Sequence, residues 1–514
     1  MSLLMMVVSL MLAAVIVVAI GNKVGLPWPV LLTVLAAGAI FLPALPTIHL
    51  PVDLILPIFL PPLLWAMARR TSWGVIKTQW FSILMLSVVL VLISTAIGAA
   101  TAMWLMPGMT LAGAVVLASA LSPTDAVAVE AVAEPAGIPR RLSNTLQNEG
   151  LFNDAASIVC FSIALSAVES GGELSLSEGV ADFLYNASVA LVIGLLLGFI
   201  AAKIFDWIDS PVARNAFSWV LPFAVYLAAD SLGASGVIAV IIAGVEMHSR
   251  VKVGAEDRLT GHAFWEPIEM LFTAAAFGLV GLSVRDAVAT VGASIWHGVW
   301  VGFILSLVLV AVRFLWLIFM YRLYVRQGKK TAAPLRLQEV LLLTWAGMRG
   351  LVTLALVLAI PQGGYIPWQH ELSVIAITVM AFTMVFPGLT LPWLVRRLSL
   401  DRGPDAQGDI ARERLFRRAR DAANVVIQSH VDELPQSAVS SIQHWIMEET
   451  NMDEDELKAK AKEVRSKAAE VRFEALAAAQ RELLSARREP GVDPAIVDEV
   501  LTEIDRMIIA ARRS

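Results

Sequence analysis

Of 514 residues, 57% are hydrophobic and 16% are charged, against roughly 25% charged in a typical soluble domain. So much apolar surface cannot be hidden in one globular core, which excludes a soluble enzyme, and a net charge of −5 offers no large basic face to nucleic acid. The single cysteine, Cys160, excludes an intramolecular disulfide and a cysteine-based metal cluster.

A spanning helix needs roughly 20 mostly apolar residues. Thirteen such runs are expected, at 3–20, 28–42, 54–68, 80–104, 111–133, 143–167, 183–205, 212–229, 234–247, 263–284, 292–320, 338–360 and 371–395. The first lacks the basic flank of a signal peptide and reads as a retained span. Loop charge tests the count. With the C-terminus in the cytoplasm, thirteen spans leave the N-terminus outside, sixteen Lys and Arg from Lys23 to Arg336 fall in inner loops, and Arg285 falls in an outer one. The expected fold is an all-α polytopic membrane protein, with a membrane body over 1–397 and a polar helical tail over 398–514.

Ionisable side chains inside spans are costly, so they usually face a cavity and serve a function. The fifth run contains Ser122, Pro123, Thr124 and Asp125. Pro123 removes a backbone donor and breaks the helix; Ser122 is suited to cap a new helix, with Pro123 at its first position and Asp125 near its positive end. A discontinuous helix with an acid at its break points to an ion site, the alternative being a kink capped for its own stability.

The sixth run opens with Glu149, Asn153 and Asp154. Glu149 and Asn153, four apart, share a helix face, and Asp154 lies about 100° further round. Two acids and an amide so close together suit a group that takes either a proton or a small cation; the alternative is polar glue between helices. The eleventh run carries Arg313, for which Glu149 is the expected buried partner unless the guanidinium snorkels to the interface. In the twelfth run Gly347 and Gly350 weaken the helix, and Arg349 brings a permanent cation to where broken-helix carbonyls would be exposed. If runs 1–6 and 8–13 are repeats, both breaks fall at the fifth position of a repeat, and the odd offset makes the repeats inverted.

Of the 39 basic and 44 acidic residues, 41 lie in 401–514. Residues 453–488 read as one or two long helices, followed after Pro490 and Pro494 by an amphipathic stretch over 495–512 with Ile496, Val500, Ile504 and Ile508 at helical spacing. The tail reads either as a regulatory or dimer-forming unit or as a loosely packed solubilising one.

Several motifs together resemble the monovalent cation:proton antiporters, and among them the electroneutral NhaP/NHE-like branch. They are Leu-Pro61-Pro62-Leu-Leu in the third run, Ser122-Pro-Thr124-Asp125-Ala-Val in the fifth, Asn148-Glu149-Gly-Leu-Phe-Asn153-Asp154 in the sixth, Ser235-Gly-Val-Ile-Ala-Val in the ninth, Arg313, and Gly-Met-Arg349-Gly. They run in order from about residue 55 to 397. The resemblance implies a homodimeric exchanger of the bacterial inner membrane, with crossed, broken fifth and twelfth helices and no cofactor beyond the transported cation and proton. By the same resemblance, Asp154 is the carboxylate that alternately holds Na⁺ (or Li⁺) and H⁺. Thr124 and Asp125 contribute oxygens, and Asn153 stands where electrogenic relatives carry a second acid. Glu149 with Arg313 forms a structural ion pair, and Arg349 is the helper cation at the break. Two positions depart from the pattern: Ala66 stands where relatives carry an acid, and Gly150 where they carry a Ser. Those missing oxygens leave K⁺, Li⁺ or weak selectivity open for the transported ion. A cation channel lined by Asp125 and Asp154, or an intramembrane enzyme with paired Asp residues, are the readings from other classes; a secondary transporter rather than an enzyme is expected.

Overall fold

In a computed structural model of the chain, the described residues are 2–24, 28–38, 55–170, 176–251, 254–291, 295–328, 333–360, 366–398, 400, 406–430, 439, 461–489 and 491–513. Several expected features lie outside them: residues 39–42 of the second run, 54 of the third and 292–294 of the eleventh, the loop residues Lys252, Lys329 and Lys330, and residues 453–460 and Pro490 of the tail. Among the described residues all regular structure is helical.

The first helices are α1 (Ser2–Val24), α2 (Trp28–Gly38), α3 (Ile55–Arg69) and α4 (Trp73–Ile83). The last of these passes through a π-helical stretch, Leu84–Val89, into α5 (Leu90–Leu105). Next come α6 (Leu111–Leu121), α7 (Ala126–Ala136), α8 (Arg140–Ser170), α9 (Leu176–Trp207), α10 (Pro211–Asp230), α11 (Gly236–Arg250), α12 (Ala255–Val291) and α13 (Ile295–Arg326). The body closes with α14 (Leu337–Trp345), α15 (Leu351–Leu358), α16 (Gln369–Met380), a second π-helical stretch, Ala381–Val385, and α17 (Phe386–Leu398). Among the described residues, 7 helices are long and apolar enough to cross a membrane.

Their outer faces carry exposed apolar side chains, among them Val192 and Leu196 on α9, Val220 and Leu227 on α10, and Leu307 and Leu315 on α13. In water such a surface would aggregate; against lipid tails it costs nothing. Trp104, Trp207 and Trp296 stand exposed close to helix ends, where an interfacial aromatic belt belongs. With lipid outside, helices must attract each other through close packing, and small residues permit it. On α9, a Cβ at Gly194 would lie 2.8 Å from the Ala239 carbonyl oxygen, and one at Gly198 2.8 Å from that of Ala243, so the backbone of α11 rests directly on these glycines.

Two elements are interrupted inside the bundle. Helix α6 ends at Leu121 and α7 begins at Ala126; α14 ends at Trp345 and α15 begins at Leu351. The first break is capped differently from the expectation. Ser122 belongs to the end of α6, where its hydroxyl donates to the Ala118 carbonyl at 2.7 Å, and Asp125, not Ser122, caps α7. A carboxylate three residues further on can accept several N–H groups at once, and Pro123 leaves the chain between them non-helical.

The tail has a hydrophobic core of its own. Helices α18 (Ala406–Ser429), α19 (Ala461–Ala486) and α20 (Pro494–Arg513) bury Leu415, Ala419, Ile427, Leu476, Leu483, Val500 and Leu501 against one another. It also docks on the body through polar contacts. Asp505, fully buried, pairs with Arg258 and accepts from Gln480 at 3.0 Å; Arg487 donates to the Arg69 carbonyl at 3.1 Å. Asn144 at the start of α8 donates to Asp493. A buried carboxylate held from both sides is the mark of a specific contact rather than a loose tether.

Candidate functional site

The two breaks meet. The Asp125 backbone N–H donates to the Met348 carbonyl at 2.7 Å. Its carboxylate then serves two helices. Oδ1 accepts from the N–H groups of Val127 (2.9 Å) and Ala128 (3.0 Å) at the start of α7, and Oδ2 from that of Leu351 (3.0 Å) at the start of α15. Both positive helix ends thus converge on one acid. The opposite ends receive cations. Arg349, 1% exposed, donates through Nε to the Leu121 carbonyl at 2.9 Å, the last residue of α6, and Arg313 donates through Nε to the Leu343 carbonyl at 2.9 Å near the end of α14. Each terminus that the breaks create has a charge-assisted partner: Asp125 caps α7 locally and α15 from a distance, and Arg349 and Arg313 reach the ends of α6 and α14 from other segments.

This arrangement leaves no room at Gly350, where a Cβ would overlap the Asp125 carboxylate. Gly350→Ala is therefore expected to push Asp125 off its three donors and to lower stability by about 1–3 kcal/mol, the range for overpacking a filled core. Thermal melting of the detergent-solubilised protein measures this; an unchanged melting curve would mean that Asp125 is not held where we describe it.

Helix α8 carries the other site residues, and its periodicity sends them in two directions. Glu149, 3% exposed, accepts from Nη1 and Nη2 of Arg313, the latter at 2.9 Å, and from the Thr124 hydroxyl at 2.9 Å. Asn153 donates its amide to both the carbonyl and the hydroxyl oxygen of Thr124 at 2.8 Å. These residues line a cavity of about 10 Å³ together with Ser94, Ser122 and Arg349. Asp154 faces elsewhere, into a cavity of about 20 Å³, room for a water molecule, whose wall it shares with Asp125. The rest of that wall is Leu60, Leu63, Leu64 and Met67 of α3, Ala126 and Val127, Leu351 and Val352, and Thr273 and Ala276 of α12. Asp154 is 8% exposed, and its Oδ1 is buried without a hydrogen-bond partner.

The structure therefore brings Asp125 and Asp154 together as the sequence suggested, and places Arg313 against Glu149 and Arg349 at a helix end. Thr124 departs from expectation. Expected to contribute an oxygen to the cation, it lines the other cavity, its hydroxyl donating to Glu149 and accepting from Asn153. The departures at Ala66 and Gly150 have a steric context. Ala66 is buried, and a Cβ at Gly150 would overlap Ala126 and lie 3.1 Å from its Cα, so the start of α7 occupies the space a serine would need. Sequence reasoning missed Thr273, and also Ser87, whose hydroxyl donates to the Glu149 carbonyl at 2.7 Å from the π-helical stretch. A threonine in the middle of an apolar run was the available signal for Thr273; nothing local marks Ser87.

Two helices broken inside an apolar bundle, with a buried acid where they meet, define the class of secondary transporters built from discontinuous helices. The family profile described as "Sodium/hydrogen exchanger, transmembrane" matches residues 8–397, and the chain belongs to that family of monovalent cation:proton antiporters. It is 27% identical over 419 residues to the Na⁺/H⁺ antiporter ApNhaP of Aphanothece halophytica, covering 80% of this chain and 76% of the relative. It is 29% identical over 385 residues to the low-affinity Na⁺/H⁺ antiporter NhaS1 of Synechocystis, covering 73% and 70%. A protein of Bacillus subtilis named sodium, potassium, lithium and rubidium/H⁺ antiporter is 27% identical over 427 residues, covering 78% and 63%. Among solved structures, that of the sodium proton antiporter MjNhaP1 from Methanocaldococcus jannaschii at pH 8 aligns with a TM-score of 0.58 and 21% identity, covering 78% of this chain and 99% of the other, a likeness of fold.

Proposed function

We propose that the protein exchanges one alkali cation, Na⁺ or Li⁺, for one proton across the cell membrane, driven by the opposing ion gradients. The observation that carries this reading is Asp154: a carboxylate on a cavity wall, deep in an apolar bundle, with one oxygen buried and unpartnered and no cationic side chain paired with it among the described residues. Burying such a group is expensive unless its charge is neutralised. A proton does so by making the acid, and an alkali ion by making an ion pair. Each displaces the other, so Asp154–COOH with a cation becomes the Asp154 carboxylate–cation pair and a free proton.

The stoichiometry follows from the neighbours. Asn153 is neutral and engaged with Thr124, Asp125 is held by three backbone N–H groups, and Glu149 is matched by Arg313. One carboxyl is then left to cycle, which favours electroneutral 1:1 exchange. Within this proposal the body makes thirteen spans as two inverted repeats. The fifth and twelfth are crossed at their breaks, the N-terminus lies outside, the tail is cytoplasmic, and the protein is a homodimer in the bacterial inner membrane. A second reading, K⁺/H⁺ exchange by the same site, draws on Ala66 and Gly150, which remove two oxygens from its surroundings, and on the broad cation range in the name of the Bacillus subtilis relative.

Proteoliposomes with an internal pH dye, given Na⁺, Li⁺ and K⁺ in turn with the membrane potential clamped and unclamped, test the proposal. Dye recovery with Na⁺ and Li⁺, unaltered by the clamp, is the expected result. Recovery that depends on the clamp would refute 1:1 exchange, and recovery with K⁺ matching that with Na⁺ would favour the second reading.

A further inference from the structure

An alkali cation at Asp154 needs several oxygens in place of the water it sheds, because hard cations are held by carboxylate, hydroxyl, carbonyl and water oxygens. The walls around it are poor in them. Leu60, Leu63, Leu64 and Met67 make one side apolar, and Ala126, Val127, Leu351 and Val352 another. Thr124 has its hydroxyl in the other cavity. Among the described residues that line this cavity, Thr273 on α12 is the one besides the two aspartates whose side chain carries an oxygen.

That hydroxyl is also uncommitted. Threonines inside helices commonly donate to the carbonyl one turn back, as Thr344, Thr378 and Thr383 do here at 2.7 Å. Thr273 makes no such bond among the described residues, although it is only 2% exposed. A buried hydroxyl that forgoes its own helix needs another partner. Asp154 lines the same cavity, and its Oδ1 is buried without a hydrogen-bond partner.

We propose that Thr273 is a cation-binding residue of the exchange site, contributing from α12 the neutral oxygen that Ala66 and Gly150 do not supply. The inference rests on Asp154 being the exchanging carboxylate. With the metal ion present, the Thr273 oxygen completes part of its shell; with Asp154 protonated, the acid proton and the hydroxyl satisfy each other. Removing the hydroxyl thus weakens the cation state, which has few other protein oxygens, more than the protonated one.

The test is the cation dependence of exchange in proteoliposomes at fixed pH for Thr273→Val, Thr273→Ala and Thr273→Ser, with Asp154→Asn in parallel. Val keeps the shape and loses the oxygen; its apparent KM for Na⁺ is expected to rise about tenfold, as for loss of one contact to a charged group, with the maximal rate within about twofold of the parent. Ser restores the oxygen and is expected to return KM to within about twofold of the parent. Should the Val variant not fold, Ala against Ser makes the same comparison. A parental KM in Val or Ala, or a Ser variant as impaired as Val, overturns the proposal. If Asp154→Asn retains exchange, the failure lies with the assignment of Asp154; if Asp154→Asn is inactive and Thr273→Val has a parental KM, it lies with Thr273 alone.

Discussion

Proteoliposomes carrying Asp154→Asn are expected to show no cation-dependent proton flux. The substitution changes volume little and leaves Asp125, Glu149 and Arg313 with the partners they have. It removes the one thing the mechanism needs: an amide neither titrates nor carries the charge that attracts the ion. The cavity becomes permanently neutral, so stability should be kept or slightly raised while transport is lost. Folding in the variant is checked by its melting curve, so that loss of flux with an intact fold isolates the chemistry. Retained flux would mean that a different group carries the proton.

The second large effect is expected at Glu149→Gln. Arg313 is 2% exposed and spends two guanidinium nitrogens on Glu149. A glutamine offers one acceptor and no charge, leaving the guanidinium buried without a counter-ion. Breaking a buried pair in this way costs about 3–5 kcal/mol. Thr124, which donates to the same carboxylate and accepts from Asn153, would lose its anchor as well. A fall in melting temperature, partly recovered when Arg313→Met is added, is the expected pattern, because the double variant removes both charges. A normal melting curve for Glu149→Gln would contradict the pair.

Much of this was legible beforehand because membrane burial makes polar residues conspicuous. Pro123 and the Gly347/Gly350 pair announce interrupted helices, since each damages a helix in a known way. Arg313 demands an acid, and Glu149 is a nearby acid in the sequence-based topology. The helical period also separates Asp154 from Glu149 and Asn153, but it fixes angles on one helix and says nothing of what stands opposite. That is why Asp125 capping both α7 and α15 was unforeseen: one of its donors, Leu351, lies 226 residues away. The direction of the Thr124 hydroxyl, toward Glu149 and Asn153, was hidden for the same reason; in a non-helical link, side-chain direction has no period to follow. The three-helix core of the tail was half visible, in the spacing of Ile496, Val500, Ile504 and Ile508. Its docking through Asp505 and Arg258 was not visible, because charged residues on an amphipathic helix read equally well as a solvated face.

Exchange by this route requires one carboxyl group that holds a proton or a metal ion and never both. Proton release on cation binding tests this directly. Na⁺ is added to the purified protein in weakly buffered solution with a pH indicator, beginning from a pH where the site is protonated. One proton is expected to be released for each cation bound by the parent protein, and none from Asp154→Asn. Cation binding by the parent without proton release, or the same release from the variant, would contradict it.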